Sequence, residues 1–277
     1  KTLTLDGSSS ATVTELQGNV AAGSSSGVLD ITTAATVDDS AVTVTTGTVN
    51  ATITGTSSGD TVTVEADALA SNDRLTVDGA ADFIVNDVAS NVVIDANGDG
   101  SGAALTGTLQ VTTDNAATGV DVLTGSAETT VNTGSGGGGS GTVQADELAN
   151  DTQLDLNGAA TITVEDLIGD VDAAGMTAGT LTVNTVNNTD DSDISITTGD
   201  TDVIVDTAQS GDTINIDAAG MTAAGDETLT LAGNSDVVVT NLVQDLDADG
   251  TQTLTELGGT LDVTTGELAN ASGVEFV

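Results

Sequence analysis

Apolar residues alternate with Thr, Ser and charged residues over three to five positions, as in Leu3/Leu5, Val42/Val44, Val62/Val64, Ile194/Ile196 and Ile214/Ile216. A period of two carried by β-branched residues and bounded by Gly, Asp, Asn and Ser predicts short β-strands. No stretch sustains a helical period; residues 66–70 and 147–150 have room for a single turn. Val44, Ile53 and Val62 follow one another at nine residues, and so do Ile196, Val205 and Ile214. A nine-residue step of one strand and one tight turn marks a parallel β-roll or β-helix.

A longer repeat lies over this short one. Four segments open alike, LTLDG at Leu3, LTVDG at Leu75, LDLNG at Leu154 and LTLAG at Leu229, at spacings of 72, 79 and 75 residues. Eight, ten, thirteen and seventeen positions after each opening Leu an aliphatic or aromatic residue returns, for instance Phe83, Val85, Val88 and Val92 in the second copy. After a loop of variable length the copies converge on a second strand signature at Leu29-Asp30-Ile31, Leu109-Gln110-Val111, Leu181-Thr182-Val183 and Leu261-Asp262-Val263. Fixed strands around variable segments predict surface loops. The frame divides the chain into repeats at 3–74, 75–153 and 154–228 and a partial repeat at 229–277.

Two all-β architectures accommodate this pattern. A string of small β-sandwich domains needs two packed sheets, normally with aromatic anchors, in units nearer 100 residues. A parallel β-solenoid needs only small aliphatic residues pointing inward and turn residues at its corners, each coil covering the last. The expected fold is therefore one continuous β-solenoid built from repeats of about 75 residues, with coils of roughly 20 residues and a rod on the order of 60 Å long.

Composition narrows the chemistry. The 277 residues carry 43 acidic and 2 basic side chains, a formal charge of −41, with no His, Cys, Trp, Tyr or Pro and only two Phe. A polyanion of this density has no footprint for nucleic acid and no attraction to an anionic membrane. No apolar stretch is long enough to span a bilayer, so direct membrane insertion is not expected. The usual general base and thiol nucleophile are missing, and sugar-cleaving sites need aromatic platforms and basic residues that are nearly absent, so no enzyme is expected. The chain opens at Lys1 with neither an initiator Met nor a signal peptide, as a processed product or a segment of something longer would.

Carboxylate, amide and backbone oxygens remain, a donor set suited to calcium. Asp245, Asp247, Asp249, Thr251 and Glu256 fall on the DxDxDG-plus-Glu spacing of a calcium loop. Asp95, Asn97 and Asp99 repeat its opening but have Thr106 where the closing Glu would stand. Asp200 and Asp202 belong to a row of corner carboxylates that a stacked coil brings together, where like charge calls for a cation or a proton. The plain alternative at each is an acidic Asx turn without an ion. Adaptation to strong salt is a separate explanation for the acidity, since a dense acidic surface maintains solubility.

The LTLDG openings, the TVTVEADALA and DAAGMTA segments and the Gly-Asp-Thr corners in TGTSSGDTVTV and AQSGDTINI resemble the β-strand-repeat regions of bacterial surface-layer proteins and large adhesins exported by type I secretion, relatives of the RTX proteins. The calcium nonapeptide of that family, GGxGxDxUx, is intact nowhere; Gly199-Asp200-Thr201-Asp202-Val203-Ile204 is a degenerate form of it. The resemblance implies a secreted, extracellular protein at the cell surface that binds calcium and self-associates into a surface layer or fibre, with cell-surface polysaccharide as a further partner. The alternative it implies is the repetitive stalk of an adhesin whose binding module lies elsewhere.

Overall fold

The computed structural model describes residues 1–35, 41–98, 103–186, 193–207, 213–222, 227–248 and 256–266. The first repeat supplies β1 (Thr2–Thr4), β2 (Ala11–Leu16), β3 (Asn19–Ala21), β4 (Leu29–Thr33), β5 (Ala41–Thr45), β6 (Ala51–Gly55) and β7 (Thr61–Glu65). The second supplies β8 (Arg74–Gly79), β9 (Asp82–Val88), β10 (Val93–Asp95), β11 (Leu109–Thr113), β12 (Val120–Leu123), β13 (Thr129–Asn132) and β14 (Ser140–Gln144). The third supplies β15 (Gln153–Gly158), β16 (Thr161–Leu167), β17 (Asp170–Met176), β18 (Thr180–Thr185), β19 (Ile194–Thr197), β20 (Asp202–Thr207) and β21 (Thr213–Asp217). The fourth adds β22 (Thr228–Gly233), β23 (Asp236–Leu242), β24 (Asp245–Asp247) and β25 (Leu261–Thr265).

Among the described residues, odd-numbered strands pair in parallel into a 13-stranded sheet and even-numbered strands into a 12-stranded one, so each strand lies on the strand two before it. The chain is thus a parallel β-solenoid with about 21 residues per turn. At about 4.8 Å between strands the longer sheet extends roughly 58 Å. Among the described residues no helix is long and apolar enough to cross a membrane.

Alternation fixes which side of each strand is buried. In β6, Ala51, Ile53 and Gly55 are buried while Thr52 and Thr54 are half-exposed, and β5, β7 and β20 read the same way. Register stacks the inward residues into columns, such as Val44, Val64, Val85, Val111, Val131 and Leu156 along the odd sheet. Columns of one small aliphatic type fill a narrow core between two sheets, which is why the chain does without Trp and Tyr.

Among the described residues each full repeat contains seven strands, three and a half turns, so equivalent strands of successive repeats fall on opposite sheets. The equivalence extends to irregularities. The step from Val13 to Leu16, Val85 to Val88, Val164 to Leu167 and Val239 to Leu242 breaks the period of two, and at each the register shifts in a bulge. Glu15, Asp87, Asp166 and Asn241 take up the extra residue with φ of 54°, 56°, 55° and 59°. Their side chains are exposed, and the following apolar residue is buried. Asp and Asn tolerate this left-handed backbone better than most residues; Glu15 has no such preference.

Candidate cation-binding carboxylates

Many carboxylates have a structural occupation. Asp82 Oδ1 accepts the backbone N–H of Thr108 at 2.8 Å and its hydroxyl at 2.9 Å. Asp170 accepts the N–H of Ser195 at 2.8 Å, Asp202 that of Thr228 at 2.9 Å and Asp236 that of Thr260 at 2.7 Å. Asn19 and Asn50 do the same for Thr43 and Arg74 at 3.0 and 2.9 Å. Each acceptor stands at or just before the start of a strand and each donor one turn later. The side chain therefore extends the backbone ladder by one bond where the coil bends.

The exposed Asp236 carboxyl is held below the ordinary carboxylate value, chiefly by the backbone N–H of Thr260, then by its hydroxyl, against a small opposing effect of desolvation. A depressed folded value means stability that is present above the unfolded value and lost as pH falls through the folded one. Asp236→Asn should therefore lower the urea midpoint at about pH 7, and the gap to wild type should close towards about pH 2. A gap that does not change with pH would show that the charge contributes nothing to the bond.

Of the residues singled out by sequence, Asp200 accepts the hydroxyl of Thr222 at 2.8 Å and, with Asp202 and Glu227, lines one open groove. Asp245 and Asp247 are strand residues of β24 that pair opposite Thr228 and Thr230 and flank the buried Leu246. Glu256 is exposed and precedes Leu257, whose N–H meets the Ala248 carbonyl at 3.5 Å. Asp99, Asp249 and Thr251 lie outside the described residues.

The second repeat has the same join, Leu105 N–H to the Ala96 carbonyl at 2.8 Å. In both copies this bond ties an Asp-Ala pair to a Leu nine residues after the Ala. β10 and β24 are seven turns apart on the even sheet, so the two joins are about 34 Å apart along one edge of the rod.

Asp95 differs from its counterpart Asp247. It is 0% exposed, and Arg74 Nη1 reaches its Oδ2 at 2.6 Å. Thr76, its register partner on β8, stands with its hydroxyl 3.5 Å from the same oxygen. Asn97 is 7% exposed, and Asp78 on the same outward face of β8 is 8% exposed. Asp78 was not among the residues marked by spacing; it closes the LTVDG opening, where the other copies have Asp6, Asn157 and Ala232. Among the described residues no group of three or more acidic side chains is gathered to hold a metal ion. Comparison with protein-family models, with curated proteins and with solved structures finds no match.

Proposed function

We propose that this chain belongs to an extracellular, non-catalytic structural protein that self-assembles into a surface layer or matrix fibre, with calcium offsetting its carboxylates. The observation that carries the reading is the parallel ladder itself, two sheets stacked over columns of small aliphatic side chains, because each added turn, from this chain or from another copy, covers the last in the same way. Unpaired parallel strands with apolar side chains in core register are templates for another copy. Joining copies end to end continues both the ladder and the column, and cations between acidic rods reduce the repulsion that opposes contact.

Electron microscopy of the protein in millimolar calcium and in chelator tests this. Filaments or a lattice that dissolve on chelation are the expected result; single rods at every calcium concentration overturn the assembly reading and favour the adhesin stalk.

A further inference from the structure

We infer that Asp78 and Asp95 form a calcium site on the outward face of β8 and β10, a site made across strands and distinct from the loop pattern in the sequence. The inference rests on the calcium part of the function proposed above and not on assembly. Asp95 pairs in register with Thr76, and Asp78 lies two residues further along β8, so the two carboxylates are diagonal neighbours on one face. With about 4.8 Å between strands and about 3.3 Å rise per residue, such diagonal positions in a parallel pair have Cα atoms about 8 Å apart, close enough for two side chains to share an ion.

Outward residues of the sheets are generally half-exposed, yet Asp78 is 8% and Asp95 0% exposed. Oδ1 of each is buried and has no hydrogen-bond partner. Arg74 engages only Oδ2 of Asp95 and is itself 41% exposed on its side chain. The register partners add no positive charge: Thr54 lies beside Asp78, and Thr76 and Leu123 lie beside Asp95.

Two carboxylates against one guanidinium leave a net negative charge, and a carboxylate oxygen taken from water with nothing donated to it is costly. A hard divalent cation removes that cost at both oxygens at once. Asn97, two residues beyond Asp95, is also nearly buried, 7% exposed. Ligands drawn from two strands suit the variable geometry of calcium better than the strict octahedron of magnesium. The fourth repeat supplies an internal contrast. It keeps Asp247 opposite Thr230 but has Ala232 and Thr228 where the second has Asp78 and Arg74, so this site belongs to the second repeat.

The test is calcium binding by equilibrium dialysis at about 10 μM free calcium with excess magnesium, on protein kept dilute and confirmed monomeric by light scattering so that assembly does not enter. Asp78→Asn and Asp78→Ala, the latter giving the second repeat the residue of the fourth, should each lose one calcium per chain. Calcium should raise the thermal midpoint of the parent more than that of either variant. In chelator the variants should equal or exceed the parent, because an unmet buried charge has gone. Unchanged stoichiometry with an unchanged calcium-induced shift overturns the site, as do variants that exceed the parent at every calcium concentration. Failure of the parent to polymerise at high protein concentration would count against the assembly reading alone.

Discussion

Gly107→Ala is expected to destabilise the solenoid by about 3 kcal/mol or more, the upper range for a clash that rotamers cannot relieve. A Cβ at Gly107 would lie closer than 3.0 Å to the carbonyl oxygen of Ala81 in the preceding turn, a separation that real Cβ atoms do not show. The obstacle is backbone, so the two turns must separate, and the ladder bond from Phe83 N–H to the Thr108 carbonyl, 2.8 Å long, stretches with them. The same contact recurs at Gly27 on Ser9, Gly179 on Ala160 and Gly259 on Ser235, one glycine before the second strand signature of every repeat. Gly23→Ala provides the control, since its Cβ would meet only the Thr45 methyl at 3.7 Å. Urea unfolding of both variants checks the expectation, with hydrogen exchange showing whether protection is lost first at β9 and β11. Equal midpoints for the two would refute it.

Phe83→Ala should cost about 3–5 kcal/mol, the range for removing a buried aromatic ring from a core that relaxes only in part. Phe83 is 1% exposed in a core otherwise built of aliphatic side chains. Its space comes from Gly55 on the opposite sheet, where a Cβ would lie 3.1 and 3.3 Å from ring atoms of Phe83 and closer still to the Ala81 methyl. Ring and glycine are thus one packing unit. Gly55→Ala should be strongly destabilising alone and less so in the Phe83→Ala background, with a coupling of about 1 kcal/mol; contact with Ala81 keeps the relief incomplete. Strict additivity in a double-mutant cycle would show that the two sites relax independently.

The strands and their parallel stacking were legible because a two-residue alternation leaves few choices for which face is buried, and nine-residue steps leave room only for a strand and a turn. The break from ten to thirteen positions after each opening Leu was also visible, and the bulges at Glu15, Asp87, Asp166 and Asn241 are its structural counterpart. The glycine two residues before Leu29, Leu109, Leu181 and Leu261 was present in every copy, but its reason, a carbonyl one turn away, exists only once the coils are stacked.

Carboxylates were harder. An Asp at a corner has the same local sequence whether it faces a cation, water or a backbone N–H from the next turn, and Asp82, Asp170, Asp202 and Asp236 turned out to accept such N–H groups. Asp78 gave no signal because alternation assigns it to the solvent side, and its burial arises from the surroundings of β8 and β10.

Seven strands to a repeat is an odd number, and parity has a consequence for how such a rod can change length. Deleting one repeat would rotate everything downstream by half a turn, sending loops that faced one side of the rod to the other. Deleting two would restore the original facing and only shorten it. β10 and β24, two repeats apart, lie on the same sheet, whereas β17, one repeat from each, lies on the other. A rod that must present one face to a neighbour can therefore gain or lose repeats in pairs without reorienting its partners, while a single gain or loss exchanges its two sides.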